Sequence, residues 1–245
     1  MLTSLFFNLA LVAPSLAQFV ATTTFTFPGN ALPTGLSASD WIVPKDPDTP
    51  AVYDHLFVPE NVRVQDGFLE LVVPGGQTEN PIRSAEIFTW FNVLYGSVRT
   101  YAILTEEPGV CNGMFMYFDD NQETDIEWIS DPESFANIDA NNGTRAMLYT
   151  NQNLVEGVDA TTVSGRAASD ATSTVHEYRL DWTEDATRFY LDGVLQQTIT
   201  ENVPTVPGQW LWNNWVNGDP YFTAGPPVGD AVFKIQKIVM FYNPA

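Results

Sequence analysis

Three carboxylates alternate with uncharged residues in the stretch Gln122-Glu123-Thr124-Asp125-Ile126-Glu127-Trp128. In an extended chain successive side chains point to opposite faces. Glu123, Asp125 and Glu127 therefore share one face, and Thr124, Ile126 and Trp128 share the other. A row of like charges costs stability, so this is an odd way to build a solvated surface, although an exposed acidic strand is the plain alternative. The chemistry it suits is acid–base and nucleophilic work on a glycosidic bond, with one carboxyl as acid and the other as nucleophile or base. The Cα atoms of Glu123 and Glu127 lie about 13 Å apart at about 3.3 Å per residue. Their side chains can lean inward to roughly 5–6 Å, nearer the retaining range than the inverting one. An ionised Glu123 raises the proton affinity of Glu127, and that effect vanishes once Glu123 becomes an ester. Asp125, between them, can hydrogen-bond and orient Glu123.

The elements that must hold this face are strands. Gly67–Val73 is a strand closed by Pro74-Gly75-Gly76, and Ala85–Trp90 and Tyr95–Leu104 follow it. Gly113–Phe118 is an apolar strand that Asp119-Asp120-Asn121 turns into the acidic one. Arg145–Thr150 comes next, and residues 153–173, polar and rich in small side chains, read as a long surface excursion. Asp192-Gly193 between Thr187–Leu191 and Val194–Ile199 is a two-residue hairpin turn, where glycine accepts a positive φ. Trp210, Trp212 and Trp215 cluster before Gly218, and Ala231–Tyr242 is a long final strand. No stretch has the period of a long amphipathic helix, and there is no internal repeat. About a dozen strands with one core imply an all-β domain of two packed antiparallel sheets, a sandwich or jelly roll.

Of the 245 residues, 44% are hydrophobic, enough for one large β domain. The net charge of -20 excludes nucleic acid as a partner and suits an uncharged substrate. Two histidines and one cysteine leave no His/Cys metal cluster and no disulfide framework. Cys111 reads as a buried thiol. His55 and His176, with nothing to pair them, read as ordinary surface or partly buried residues. Residues 1–17 read as an export signal: an apolar run over Leu5–Ala13, then Ser15-Leu16-Ala17 as a small-x-small cleavage site before Gln18. The run is too short to span a bilayer, and the C-terminus carries no hydrophobic tail for a lipid anchor. Residues 18–245 are thus expected to form a secreted catalytic domain, extracellular or in the cell wall. Asn142-Gly143-Thr144 is a glycosylation sequon.

Glu123-Thr124-Asp125-Ile126-Glu127 resembles the E-x-D-x-E active-site strand of family 16 glycoside hydrolases. Ala85-Glu86-Ile87 and Tyr95–Arg99 resemble the family's upstream strands, and Leu180–Thr183 with Phe189–Gly193 its downstream hairpin. Asn214–Gly218, Gly225-Pro226-Pro227 and Asp230-Ala231 resemble its closing segment. The pattern covers nearly the whole expected mature chain and is similar to secreted fungal members. The resemblance implies a concanavalin A-like jelly roll with a concave glycan cleft. It implies Glu123 as nucleophile, Asp125 as its helper and Glu127 as acid/base. One residue between Asp125 and Glu127, the unbulged form, resembles mixed-linkage glucanases, xyloglucan transglycosylases and wall crosslinking enzymes; laminarinases typically have two.

Sugar rings stack on aromatic faces while their hydroxyls bond amides. Trp215 and Asn214 are the first candidates for such contacts, with Trp212, Tyr117, Tyr149 and Asn151 behind them. Core packing is the alternative for each, and core is the expectation for Trp90, Trp128 and Trp182. No cofactor is required; Asp230 or Asp181 could help hold a structural calcium, but hydrogen bonding is the favoured role. The expected function is a retaining endo-hydrolase of cell-wall β-glucan, of the β-1,3/1,4-glucanase type, acting as a monomer. A transglycosylase and a non-catalytic glycan-binding lectin remain as alternatives.

Overall fold

The computed structural model describes residues 19–155 and 157–245, so the expected signal segment 1–17 lies outside the described residues. The strands in the first half of the chain are β1 (Ala21–Thr26), β2 (Leu36–Ala38), β3 (Trp41–Val43), β4 (His55–Phe57), β5 (Val62–Gln65), β6 (Phe68–Val73), β7 (Ile82–Thr89), β8 (Val93–Ile103) and β9 (Cys111–Asp119). Those in the second half are β10 (Gln122–Ile129), β11 (Ala146–Asn151), β12 (Thr161–Arg166), β13 (His176–Trp182), β14 (Thr187–Leu191), β15 (Val194–Ile199), β16 (Gln209–Trp215) and β17 (Ala231–Pro244). A short α-helix, α1 (Phe135–Ala140), is capped by Ser134, whose side chain accepts from the Asn137 amide.

Two sheets result. An eight-stranded sheet runs β15-β14-β13-β8-β17-β6-β5, with β1 also on β17. A nine-stranded sheet runs β12-β11-β10-β9-β16-β7-β4-β3, with β2 also on β7. The long β17 gives its start to β6 and its end to β1 along one edge, and keeps β8 on the other. Pairing is antiparallel as expected, except that β4 runs parallel to β7. The polar stretch 153–173 is not all excursion: β12 pairs along the whole of β11. Its period-two signal was masked by Thr, Ser and Gly, because an edge strand needs little apolar surface. The hairpin at Asp192-Gly193 has φ of 49° and 76°, the twist that two-residue hairpins favour.

The inner faces of both sheets form one core. Ile126, Trp128, Met114, Met116, Trp210 and Trp212 come from the nine-stranded sheet, and Leu180, Trp182, Phe189, Phe233 and Ile235 from the other. Trp90 does not join Trp128 and Trp182 there. It is 59% exposed, because it follows buried Thr89 at the end of β7 and points the opposite way. His176 is not unpaired: its Nδ1 lies 2.7 Å from Asp192 and its Nε2 3.1 Å from Asp170, both brought in by the hairpin and the preceding turn.

Asp181 and Asp230 use their oxygens for hydrogen bonds. Asp230 accepts from the Gly75 amide at 3.0 Å. Asp181, fully buried, accepts from Ser97 Oγ at 2.5 Å and forms a two-point pair with the guanidinium of Arg179, whose Nε is 2.7 Å away. Removing one partner of such a pair leaves the other charge uncompensated. Asp181→Ala is therefore expected to lower the unfolding free energy by about 3 kcal/mol, read from urea denaturation. A loss below about a third of that would show that Arg179 finds solvent instead.

Candidate active site

The carboxylate face is positioned by register. Asp119 and Gln122 close a tight turn, and a bulge between Gln122 and Glu123 resets the pairing. Glu123 then lies opposite Tyr117, Asp125 opposite Phe115 and Glu127 opposite Gly113. The rows continue over β16 and β7. Gln209 follows Tyr117, Leu211 and Phe88 follow Phe115, and Asn213 and Glu86 follow Gly113. Residues directly opposite one another share a face, so these rows are the floor of one cleft. Trp41, Val43, His55 and Phe57 from β3 and β4 wall it at the far end, and Asp120 and Trp215 also line it. The cleft holds about 670 Å³ of empty space, open to solvent.

Gly113 is needed beside Glu127. A Cβ there would sit 2.5 Å from Asn213 Oδ1, which accepts the Gly113 amide at 3.1 Å. Asn213 in turn donates to Glu86 Oε2 at 3.3 Å, while Glu86 Oε1 accepts from Ser39 Oγ at 2.7 Å and Trp41 Nε1 at 3.1 Å. Glu86 is buried, and burial raises its pKa against those three donors.

Burial likewise pushes the carboxyls of β10 upward. Glu123 is raised to about 8 by burial and then by the charges of Glu127, Asp120 and Glu86, against the opposing effect of a hydrogen bond from Asp125. Glu127 is raised to about 8, by burial and then by Asp125, with the Cys111 thiol opposing. Asp125, 3% exposed, is raised well above the usual range by burial and by Glu123; Gln152 Nε2 donates to its Oδ2 at 3.3 Å. Asp125 donates a hydrogen bond to Glu123, which opposes the rise that burial and neighbouring charges impose on Glu123. Cys111 Sγ is buried 3.6 Å from Glu127 Oε1, so the expected buried thiol is found and touches a carboxyl.

A family model described as Glycosyl hydrolases family 16 matches residues 51–225 of the 245. The chain belongs to that family. It is 29% identical over 140 residues to Congo red hypersensitive protein 1 of Saccharomyces cerevisiae, a match that covers 55% of this chain and 25% of the yeast protein. It is 41% identical over 46 residues to the Beta-glucanase of Paenibacillus polymyxa, covering 19% of each. The chain thus spans a quarter or less of the length of these curated relatives. The solved structure of a prokaryotic beta-1,3-1,4-glucanase (lichenase) from a mouse hindgut metagenome superposes with a TM-score of 0.68 at 16% identity, over 92% of this chain and all of that one. The jelly-roll expectation is met.

For this family 16 chain, the cleft contains Glu123, Asp125, Glu127, Tyr117 and Trp215. Four expected subsite residues are elsewhere. Asn214 is buried behind the sheet, bonded to Leu71 O, Ala231 O and Asn112 Nδ2. Trp212 is in the core with its Nε1 on Thr100 Oγ1 at 2.8 Å. Tyr149 stacks on Phe189 at 4.8 Å, and Asn151 bonds Glu201 O and Thr187 Oγ1. Each lies opposite, or in line with, an inward residue of β10: Tyr149 with Ile126, Asn151 with Thr124, Trp212 with Ile126 through Met114, and Asn214 with Trp128 through Asn112. The cleft residues that sequence reasoning did not place there include Trp41, His55, Phe57, Glu86, Asp120 and Asn213. His55 is buried against Trp215 and Phe57, at 4.8 and 5.2 Å between ring centroids, and burial drops its pKa to about 4. Asn142, half-buried, donates to Ser164 Oγ at 2.5 Å.

Raised carboxyl pKa values have a consequence for stability. Between the ordinary 4.5 and about 8, the folded chain holds protons on Glu123 and Glu127 that the unfolded chain has released. The stability contributed is full below the lower limit and is lost as pH rises through the upper one. Tm is therefore expected to fall from pH 4.5 to pH 8. Glu123→Gln and Glu127→Gln should each raise Tm at the alkaline end and flatten the slope, measured by calorimetry. Unchanged slopes in both variants would show that these carboxyls ionise freely.

Proposed function

We propose that this chain is a secreted, retaining endo-hydrolase of cell-wall β-glucan, of the β-1,3/1,4-glucanase type, in which residues 18–245 form a monomeric catalytic domain and residues 1–17 direct export. The observation that carries this reading is the placing of Glu123 and Glu127 on one face of β10, inside a cleft, with Asp125 between them and hydrogen-bonded to Glu123. Glu123 as carboxylate attacks the anomeric carbon while Glu127 gives its proton to the leaving oxygen. The bond to the leaving sugar breaks and a glycosyl ester forms on Glu123. Esterification removes the negative charge of Glu123, Glu127 then takes a proton from water, and the hydroxyl displaces Glu123 with net retention. Asp125 holds Glu123 by its hydrogen bond throughout. The 46-residue match to a Beta-glucanase supports glucan as the substrate class. No cofactor enters this scheme.

The unbulged spacing from Asp125 to Glu127 is shared with transferring enzymes, in which a sugar hydroxyl replaces water on the same ester; this makes transglycosylation the second reading. The test is incubation with mixed-linkage glucan, laminarin, xyloglucan and chitin oligomers, each with and without a labelled acceptor. New reducing ends of retained configuration on mixed-linkage glucan are expected. Glu123→Gln should remove about a thousandfold or more of that activity. Labelled polymer without net reducing ends would establish transfer instead, and glycan binding with no turnover would establish a lectin.

A further inference from the structure

The chain's one cysteine stands beside a group that the proposed reaction needs. Cys111 opens β9, opposite Ile129 of β10 and Trp215 of β16, next to the row of Glu127, Gly113 and Asn213. It therefore lies on the cleft face, with its Sγ 3.6 Å from Glu127 Oε1. Among the described residues no other side chain hydrogen-bonds the Glu127 carboxyl. The thiol is sealed from water. Ile129, Ala146 and Leu148 bury it in an apolar cluster, and Trp215 and Phe222 pack on that cluster with their rings 5.8 Å apart. Burial, and then the charges of Glu127 and Asp125, raise the thiol well above its ordinary pKa, so it stays an S–H with a proton to donate.

A donor at this place has to be weak. A hydroxyl or a cation on Oε1 favours the ionised carboxylate and strips the acid of the proton it must deliver. With no donor the carboxyl turns freely about its own torsions, at a cost in orientation. A thiol lies between the two, since it hydrogen-bonds weakly. We propose that Cys111 is a positioning residue for Glu127: the thiol holds Oε1, so that Oε2 carries the proton toward the leaving oxygen. Cys111 acts through Glu127 alone and keeps its own proton throughout. The other titratable groups facing Glu127 are Asp125 and Glu123 on β10, Glu86 on β7 and His55 on β4, with Tyr117 and Asp120 at the β9–β10 turn. β16 presents Asn213 and Trp215, β11 presents Leu148, and α1 presents Ala136 and Ala140.

This rests on the reading of Glu127 as the acid, and the test keeps the two apart. Turnover is measured on mixed-linkage glucan and on the dinitrophenyl glycoside of a mixed-linkage oligosaccharide, whose leaving group departs without a proton. Cys111→Ala and Cys111→Val both remove the donor. Each is expected to lower kcat/KM on glucan about tenfold, a part of what general acid catalysis supplies, and to leave kcat/KM on the aryl glycoside unchanged. The alkaline limb of the glucan pH profile should move up by about half a unit, because the thiol opposes the rise that burial gives Glu127. Cys111→Ser, a stronger donor, should move that limb below its wild-type position. Opposite shifts of this kind are not produced by packing. If one of the two apolar variants fails to fold, the other decides; if both fail, a Cys111→Ser limb at or above the wild-type position overturns the proposal. Equal losses on both substrates, or a fixed limb in folded variants, show a packing role and overturn it too, while wild-type turnover keeps the glucan reading. A wild-type chain that turns over neither substrate overturns both.

Discussion

Three carboxyl groups in one row, Asp125 buried and Glu123 and Glu127 half-buried on the floor of an open cleft, resist ionising together, because each charge raises the proton affinity of its neighbour. That constraint governs what surrounds β10. Among the described residues that line the cleft none is a Lys or Arg: Gly113 and Asn213 lie beside Glu127, Phe115 and Leu211 beside Asp125, and Gln152 on the Asp125 oxygen. A cation among them would draw the protons off, and Glu127 would cease to be an acid. Six of the ten basic residues, Arg63, Arg99, Arg179, Arg188, Lys234 and Lys237, instead lie on strands of the other sheet. There they meet carboxylates of their own, as Arg179 does Asp181, Arg99 Glu177 and Lys234 Glu70.

Holding protonated groups in place then falls to packing. Behind the row, Trp128 donates its Nε1 to Thr105 O at 2.9 Å, and Trp212 donates to Thr100 on β8. These indoles fill the space between the sheets and also tie them together, so the floor of the cleft cannot slide relative to its backing. Such fixed polar and apolar support is what makes a charge-developing site effective, because little reorganises as charge moves. The stability lost in burying the carboxyls and recovered in burying the tryptophans thus belongs to the same strands.

The face that Glu123, Asp125 and Glu127 share was legible because alternation within one strand needs no knowledge of its neighbours. The cleft was not, because it is defined across strands. Trp212 and Asn214 share one face of β16 and Trp215 the other, so the three could never have lined one surface. Which face looks outward is set by the register that puts Asn213 beside Gly113 and Glu127. Tyr149 and Asn151 failed for the same reason on β11. Trp41 and His55 sit on three-residue strands in a Pro- and Asp-rich segment, too short for any period to show, and reach the cleft only because β4 docks parallel to β7. Glu86 was visible in Ala85-Glu86-Ile87, but nothing local said that its acid would be locked by Ser39, Trp41 and Asn213.

The two ends of the carboxylate row differ in support more than in proton affinity. Burial raises Glu123 and Glu127 to the same region, about 8. Glu123, however, accepts a hydrogen bond from the carboxyl of Asp125, itself held by Gln152, whereas Glu127 has only the thiol of Cys111, a weak donor at 3.6 Å. The one negative charge of the proposed mechanism lies on Glu123, the end that Asp125 supports, and Glu127 keeps its proton in response to it. On the proposed mechanism, that asymmetry assigns the roles before substrate arrives. It reverses when Glu123 is esterified, since the charge that held the proton on Glu127 is then gone. On that mechanism, one inequality of hydrogen bonding, between an acid and a thiol, lets one strand serve as nucleophile, acid and base in turn.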